Sequence, residues 1–355
     1  MNRALREIQL ASGATFGDVV AGVTAPIDFG NDEAALAAVC HGVALVDRSH
    51  WGRIQMSGDD RLRFLHNAST NDIIPRQPRT YCDTVFVTST ARTIDLATVW
   101  FMEEALLLLV SPSCREQLMQ WLDRYIFPAD KVELLDRTEE TACFTLVGEG
   151  VQSWKSEWEA IFETPLEIPE GTHQRVQWGS GFVDIAAGSD LALPGYTLIC
   201  SAEDAASLWK ALFDRGAIPM GETLWNRLRI EQGRPAPDAE LTEDYNPLEA
   251  RLWHTVSFDK GCYIGQETIA RLNTYKGVKQ QLWGLRLSGF VPAGTPIMFG
   301  DEKVGKLTSV VETESGYLGL GYVRTKAGGK GLSVCLGEVT AEVVDVPFLP
   351  AEQES

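Results

Sequence analysis

The pattern of hydrophobic and polar positions divides the chain into two parts of different texture. Up to about residue 278, strand-like and helix-like segments mix without strict alternation. Strand patterns cover residues 51–58, 84–88, 93–99, 104–111, 131–135 and 142–147, and amphipathic helices cover residues 115–127, 203–215 and 222–232. This mixture favours an α+β fold over a doubly wound parallel sheet, and no glycine-rich nucleotide-binding loop follows a strand.

Beyond residue 280 the chain consists of short alternating segments separated by regular turns. They cover residues 282–287, 295–299, 304–311, 318–323, 332–336 and 340–346. Such even spacing predicts a small antiparallel β-barrel. We therefore predict two domains, a composite body over residues 1–278 and a barrel domain over residues 279–350.

One motif just before the barrel has neither a helical nor a strand pattern. It covers residues 260–267 and reads Lys-Gly-Cys-Tyr-Ile-Gly-Gln-Glu. Gly261 and Gly265 allow backbone angles that a side chain disfavours, so we predict a tight, strained turn that leads into a short helix. Cys262 then precedes a helix N-terminus, with Lys260 two residues away, and both features favour the thiolate. The alternative is a glycine-rich connector with a small buried cysteine.

Charge and hydropathy limit the classes of partner. The formal net charge is −18, from 31 basic and 49 acidic residues. Direct nucleic-acid binding is not expected, because its affinity comes largely from neutralising phosphates. The N-terminal segment lacks the apolar core of a signal peptide, and the most continuous apolar run, residues 105–110, is too short to cross a bilayer. We predict a soluble, cytoplasmic protein without a membrane partner.

The cysteines and histidines do not predict a metal site. The seven cysteines are dispersed without a Cys-x-x-Cys pair, which argues against a zinc or iron–sulfur ligand set and fits a reducing compartment. The six besides Cys262 have apolar surroundings and are predicted to be small buried side chains: Cys40, Cys82, Cys114, Cys143, Cys200 and Cys335. The histidines are predicted to be structural or surface residues, since none has a sequence context that ties it to Cys262: His41, His50, His66, His173 and His254.

The motif at residues 260–267, followed by Ile-Ala-Arg at 269–271, resembles the signature of the YgfZ proteins. These are folate-binding relatives of the aminomethyltransferase (T-protein) of the glycine cleavage system. Further similarities to aminomethyltransferases occur in order along the chain, at residues 45–49, 57–60, 64–65, 70–72, 305–309 and 347–348. The resemblance implies an α+β folate-binding body of interleaved subdomains with a C-terminal antiparallel β-barrel. It also implies tetrahydrofolate or a derivative as cofactor, iron–sulfur proteins as clients, tRNA-modifying enzymes among them, and a monomer.

The resemblance further implies roles for individual residues. Cys262 would be the reactive group, and Lys260 would tune its ionisation. The pocket wall, or the support of the turn, would come from neighbouring residues of the motif: Tyr263, Gln266, Glu267 and Arg271. Arg229 and Asp95 are additional candidates for binding the folate.

The composition around the motif suits a flat, anionic ligand. Residues 256–280 carry four basic side chains against two acidic ones, with Tyr263 and Tyr275 between them. Lys276 and Lys279 are predicted to belong to a solvated face rather than to the site.

Two alternatives to an accessory protein for iron–sulfur enzymes remain open at the level of sequence. One is a T-protein-type aminomethyltransferase, but those enzymes carry two adjacent aspartates where this chain has Asp95 and then Leu96, and the second aspartate is catalytic. An arginine that they use to hold the folate glutamate is replaced as well, since Trp225 lies at its place. The other alternative is a folate-bound scaffold without turnover, which should tolerate Cys262→Ser.

Overall fold

The computed structural model describes residues 3–20, 22–274 and 277–349. Tyr275 and Lys276, two residues of the predicted polar and aromatic stretch, lie outside the described residues. Within these ranges no helix is long and apolar enough to cross a membrane.

The elements of the described chain mix helices and strands. The α-helices are α1 Arg3–Ala11, α2 Asp32–His41, α3 Arg61–Ala68, α4 Arg115–Asp123, α5 Lys155–Phe162, α6 Ala205–Asp214, α7 Glu222–Gln232 and α8 Gln266–Thr274. Short 3-10 helices cover Glu149–Ser153, Trp253–Thr255 and Thr325–Ala327. The strands are β1 Thr15–Val20, β2 Val23–Asp28, β3 Ala44–Asp47, β4 Gly52–Ser57, β5 Tyr81–Val87, β6 Thr93–Phe101, β7 Ala105–Val110, β8 Glu133–Asp136, β9 Thr141–Val147, β10 His173–Trp178, β11 Gly181–Ala187, β12 Gly195–Ser201, β13 Ile218–Met220, β14 Gln280–Leu287, β15 Pro296–Phe299, β16 Glu302–Thr313, β17 Gly316–Arg324, β18 Ser333–Leu336 and β19 Val339–Val344.

The first of two compact units is discontinuous in sequence. It comprises Met1–Arg61, Arg76–Cys82 and Thr98–Asn226. Its largest sheet has the strand order β10-β11-β12-β9-β3-β13, in which β13 runs parallel to β3 and the other pairs are antiparallel. The core against this sheet is rich in aromatic side chains, and Trp209 meets Phe144 edge to face at 5.3 Å between ring centroids.

The second unit contains the barrel and comprises Leu62–Pro75, Asp83–Ala97 and Arg227–Ser355. Six strands close in the order β14-β17-β16-β15-β18-β19, and β14 pairs with β19 to complete the ring. Alternate residues of each strand point inward, so that Leu285, Leu307 and Val343 are fully buried. The predicted C-terminal antiparallel barrel is confirmed.

A further hydrophobic core of the second unit joins the barrel to the other segments of that unit. Leu282 and Tyr322 of the barrel strands share this core with Leu96 of β6, Ile230 of α7 and Ile269 of α8. Strand β6, helix α7 and the helix after the motif are therefore held together by one apolar cluster. This cluster positions the candidate site.

The predicted boundary between residues 278 and 279 stays a prediction. Strand β14 of the barrel begins at Gln280, close to that boundary. The compact units, however, divide the chain elsewhere, because residues 62–75 and 83–97 belong with the barrel.

Local pattern located many of the elements, with errors at some of their ends, and missed others. Helix α7 coincides with the predicted 222–232, whereas the helix predicted over 115–127 ends at Asp123, where the Tyr125 amide donates to the Leu122 carbonyl and tightens the last turn. Strand β10 was not predictable from alternation, because its buried residues are three apart.

The prediction that six cysteines are buried is wrong for two of them. Cys40 and Cys335 are exposed, while Cys82, Cys114, Cys143 and Cys200 are buried. Cys335 lies on β18, where Val334 and Leu336 point into the barrel and the residue between them must point outward. Cys40 lies on the outer side of α2.

Candidate functional site in the motif turn

The motif turn is fixed to a segment almost two hundred residues earlier in the chain. Thr70 accepts a 3.0 Å hydrogen bond from the Ser257 amide at its carbonyl and donates one of 2.8 Å from its hydroxyl to the Thr255 carbonyl. The Ile264 amide donates to the Asn67 carbonyl at 3.0 Å. The turn is thus attached on both sides of Cys262 and has a defined conformation.

Lys260 lies beneath this turn and is buried. Its ammonium group donates hydrogen bonds to three backbone carbonyls, those of His66, Ser69 (2.7 Å) and Asn71 (2.7 Å). The carbonyl of His66 belongs to the last turn of α3, the negative end of the helix dipole, where a cation is favourable. Because an ammonium group has three protons, its donors are fully used by these bonds. The predicted action of Lys260 on the Cys262 thiol stays a prediction and can operate only through space.

Cys262 is exposed at the tip of the turn, so the alternative of a small buried cysteine is wrong. The next residue, Tyr263, is buried instead, and burial raises the pKa of its hydroxyl to about 12. The ring of Tyr263 lies 4.8 Å from the Lys260 ammonium, a cation–π distance. Tyr263 therefore anchors the turn through its ring, and Cys262 faces outward.

The two glycines of the motif differ in whether the structure requires a residue without a side chain. Gly265 has φ of +84°, and a Cβ there would lie 2.8 Å from the Thr88 carbonyl oxygen, so only glycine fits. Gly261 has no positive φ, and a Cβ would meet only His66 Nε2, at 4.0 Å. The expectation that both glycines adopt angles forbidden to side chains is wrong for Gly261.

The helix predicted after the motif is confirmed as α8, with Glu267 in its first turn. Ile269 is its buried anchor. Gln266 is half-buried, and Glu267 and Arg271 are exposed. The structure thus places an amide, a carboxylate and a guanidinium on the helix that follows the exposed cysteine.

The other two predicted folate ligands lie in buried surroundings of the same unit. Asp95 is completely buried on β6. Arg229 donates to Glu240 at 2.8 Å and to the Ser309 hydroxyl at 2.9 Å, and the carboxylate of Glu240 also accepts from the Thr308 hydroxyl at 2.6 Å. This network ties α7 and the following loop to the barrel strand β16. Whether either residue also contacts a folate stays a prediction.

His66 is the residue beside the motif that the sequence did not reveal. Its Nδ1 lies 3.2 Å from an Asp72 carboxylate oxygen and accepts a 3.4 Å hydrogen bond from the Ile73 amide. Its Nε2 would lie 4.0 Å from a Cβ built on Gly261. Burial, and then the charge of Lys260, lower the pKa of its imidazole, and the attraction of Asp72 opposes them only in part. The available signal was the helical register of α3, which places His66 in the last turn of the helix that Lys260 caps.

Comparison with known proteins places the chain in a family. The profile of the GCVT N-terminal domain family matches residues 5–260. The chain belongs to this family. A chloroplastic protein of Arabidopsis thaliana, whose name assigns it provisionally to the transferases, is 46% identical over 324 residues, which are 90% of this chain and 74% of the relative. An aminomethyltransferase of Rubrobacter xylanophilus is 28% identical over 351 residues, 97% of this chain and 93% of the relative.

A solved structure shows the same fold for this GCVT-family chain. The glycine cleavage system aminomethyltransferase T from Bartonella henselae matches with a TM-score of 0.85 and 20% sequence identity, over 97% of each chain. The predicted aminomethyltransferase-like fold is thereby confirmed.

Within this GCVT-family fold, the position after Asp95 holds an apolar side chain. Leu96 is 2% exposed and packs in the core that also contains Val85 and Ile269. A leucine in a dry core neither transfers a proton nor stabilises a cation. No carboxylate chemistry can come from residue 96.

Trp225 of this GCVT-family protein has a defined packing role in the first unit. The Arg48 guanidinium lies between two indole rings, 4.2 Å from the Trp225 centroid and 4.4 Å from that of Trp51. Arg48 also donates two 3.0 Å hydrogen bonds to Glu222. Burial alone would raise the pKa of Glu222, but Arg48 and then His50 more than offset it, and the pKa lies below its ordinary value. Trp225 thus completes a stacked cation site.

Proposed function

We propose that this protein is a tetrahydrofolate-binding accessory factor in the assembly or repair of iron–sulfur enzymes, including tRNA-modifying ones, with Cys262 as its reactive group. Membership of the GCVT N-terminal domain family and the relatives named aminomethyltransferase support the folate part. The 260–267 motif supports the iron–sulfur part through its resemblance to the YgfZ signature.

The observation that carries the proposal is the contrast between residues 96 and 262. Leu96 is buried in a core, whereas Cys262 is exposed on a turn that Lys260 and Ser257 attach to residues 66–71. A rigid turn costs little ordering entropy when a reactant approaches it. The chemistry of this family member therefore moves from a carboxylate to a thiol.

The residues near the motif fit a folate in part. A reduced folate is flat, aromatic and anionic, so it needs stacking surface, polar groups and positive charge. Gln266 and Arg271 on α8 are accessible and supply an amide and a cation, whereas Arg229 already pairs with Glu240. We expect polar contacts to the folate from Gln266 and Arg271 rather than from Arg229. Bound tetrahydrofolate would supply a one-carbon acceptor or donor.

The folate part is tested by titrating purified protein with tetrahydrofolate and following tryptophan fluorescence. Wild type and Cys262→Ala should both bind saturably, because the thiol is not needed for binding. Arg271→Gln should weaken binding roughly tenfold, as loss of a charge-assisted hydrogen bond does. Arg286→Gln is the matched control, since Arg286 is an exposed barrel residue whose carboxylate partner Glu342 is also exposed. Absence of tetrahydrofolate binding by the wild-type protein would contradict the proposal that this protein binds folate.

The iron–sulfur part is tested by complementation. In cells that lack this protein, the wild-type chain should restore the product level of an iron–sulfur-dependent tRNA modification, and Cys262→Ser should not. Full restoration by Cys262→Ser would instead favour a folate-bound scaffold without thiol chemistry. Arg286→Gln should complement like wild type.

Aminomethyl transfer is the second candidate, because the fold matches that of an aminomethyltransferase over 97% of each chain. The decisive measurement is tetrahydrofolate-dependent release of ammonia from an aminomethylated carrier protein. We expect none, since Leu96 replaces the catalytic aspartate. Ammonia release by wild type that disappears in Asp95→Asn would favour this candidate over the accessory role.

A further inference from the structure

A cleft of the second unit is lined by cationic side chains. It has a volume of about 710 Å³ and lies where the segment before β14 meets the end of β17. The described residues that line it include three cations and no carboxylate: Gly277, Val278, Lys279, Arg324, Thr325 and Lys326. In a chain with a net charge of −18, this concentration of positive charge marks a local site for an anion.

Backbone hydrogen bonds fix the two segments that form the cleft. The Thr325 amide donates to the Lys279 carbonyl at 2.9 Å, and the Thr325 hydroxyl donates to the Val278 carbonyl at 2.9 Å. The side chains of Lys279, Arg324 and Lys326 are exposed, so their charged groups are accessible to a ligand. The backbone of the cleft is therefore already ordered before a ligand arrives, which lowers the cost of binding.

Glu302 offsets only part of the positive charge. Its Oε1 lies 3.2 Å from a guanidinium nitrogen of Arg324 and 2.6 Å from the Lys326 ammonium. The hydrogen bond and the charge of Lys326 lower the pKa of Glu302, so its carboxylate is negative at neutral pH. Three cations against this one carboxylate leave two positive charges in excess. A ligand with several negative charges is therefore favoured over a singly charged anion.

The cleft adjoins the helix on which the polar contacts to folate are expected. The Gly277 amide donates to the Leu272 carbonyl at 2.9 Å, and Leu272 follows Arg271 on α8. From Gln266 to Leu272 the helix rises about 9 Å. Cellular folates carry a tail of γ-linked glutamates, and about three such residues cover this distance, because even an α-linked residue extends a chain by about 3.3–3.6 Å. A folate held by Gln266 and Arg271 can therefore reach the cleft with its tail.

We propose that this cleft binds the poly-γ-glutamate tail of a folate through Lys279, Arg324 and Lys326. The proposal rests on the folate part of the proposed function and adds that the preferred ligand is a polyglutamylated folate. Each exposed ion pair contributes little by itself, so the preference comes from several carboxylates that meet several cations on one tethered ligand. A small polyphosphate shares this chemistry, and the test distinguishes it from the glutamate tail.

The test compares the dissociation constants of monoglutamyl and pentaglutamyl tetrahydrofolate, measured by isothermal titration calorimetry at low ionic strength. The wild-type protein should bind the pentaglutamyl form about tenfold more tightly, as a few exposed ion pairs would give. This preference should fall to about twofold or less in about 1 M sodium chloride, because salt screens exposed charges.

Variants should change the preference in both directions. Lys279→Gln and Lys326→Gln should each reduce it about two- to threefold. Glu302→Gln should raise it by a similar factor, because it removes the carboxylate that pairs with Arg324 and Lys326. Such a gain cannot arise from a loss of folding. Arg286→Gln is the control, since it removes one positive charge near the other end of β14, about 20 Å along the strand from the cleft, and should leave the preference unchanged.

Three results would overturn the proposal. The first is equal affinity of the wild-type protein for the two folates, which would leave folate binding itself intact. The second is a preference that the double variant Lys279→Gln and Lys326→Gln retains in full. The third is binding of inorganic tripolyphosphate that the double variant loses, together with no effect of tail length, which would make the cleft a phosphate site. Absence of binding of both folates would instead contradict the folate part of the proposed function and this proposal with it.

Discussion

Lys260 and Ser69, 191 positions apart in the sequence, are joined by a 2.7 Å hydrogen bond from Nζ to the backbone carbonyl. Two more carbonyls, those of His66 and Asn71, share the same ammonium group. This single side chain therefore satisfies three buried acceptors and holds the cysteine turn on the end of α3.

Replacing Lys260 by methionine should destabilise the second unit. The methionine keeps the length of the side chain but leaves three carbonyls without their donor, and each such loss costs about 1–3 kcal/mol. We expect a decrease of about 3 kcal/mol or more in the free energy of unfolding, measured by urea denaturation. Lys279→Met, at an exposed lysine of the same unit, should change it by less than about 0.5 kcal/mol. A stable Lys260→Met protein with a slowly reacting Cys262 would show instead that Lys260 acts mainly on the thiol.

The two glycines of the motif should respond differently to alanine. Gly265→Ala combines a positive φ with a 2.8 Å approach to the Thr88 carbonyl, so it should cost about 1–3 kcal/mol of stability. Gly261→Ala should cost less than about 0.5 kcal/mol, because its Cβ meets no atom closer than 4.0 Å. Thermal denaturation of both variants measures the difference. Equal melting temperatures would contradict this account of the turn.

Native thiol titration should count three cysteines. With an aromatic disulfide reagent at pH 8, Cys40, Cys262 and Cys335 should react, because they are exposed. Burial raises the pKa of the Cys143 and Cys200 thiols to about 12, and Cys82 and Cys114 are also buried. The remaining four thiols should therefore appear only after denaturant is added. A fourth thiol that reacts quickly in the native protein would contradict the burial of these four cysteines.

Removing one partner of the Arg229–Glu240 ion pair should destabilise the fold more than removing both. Glu240 is fully buried, so Glu240→Gln leaves a buried guanidinium without its counter-charge and should cost about 3–5 kcal/mol. Arg229→Met combined with Glu240→Leu should recover part of that loss, because no buried charge remains. Glu231→Gln on the same helix is the control, since its partner Arg227 is partly exposed. Urea denaturation of the three variants checks the order; a double variant less stable than Glu240→Gln would contradict it.

Stability should fall as the pH drops below neutrality. Burial lowers the pKa of His173, against the hydrogen bond to the Phe101 carbonyl, and burial and then Lys260 lower that of His66. As the pH falls, the unfolded chain takes up protons near the ordinary value of 6.5, whereas both rings take them up only at lower pH in the folded protein. Their contribution is therefore complete above pH 6.5 and is lost as the pH falls through the folded pKa values. Urea midpoints at pH 7.5 and 5.5 measure the loss, and His173→Gln should reduce it.

The sequence by itself determined those features that depend on neighbours along the chain. Alternation at a period of two predicted the closed barrel from β14 to β19, and helical periodicity predicted α7 with correct ends. Two glycines around Cys262 predicted the turn and the start of α8. Such features can be predicted because backbone geometry depends on neighbouring residues and because each pattern repeats several times along the chain.

Only the tertiary structure decided which distant groups meet. It placed His66 beside Gly261, gave Lys260 three carbonyl partners, paired Arg229 with Glu240, and turned Cys335 outward. Segments 66–72 and 255–266 lie against each other because buried carbonyls must find donors and apolar faces must leave water, and these requirements concern the whole fold. A histidine without any suggestive neighbour in the sequence therefore comes to lie beside Gly261 of the cysteine turn only once the chain is folded.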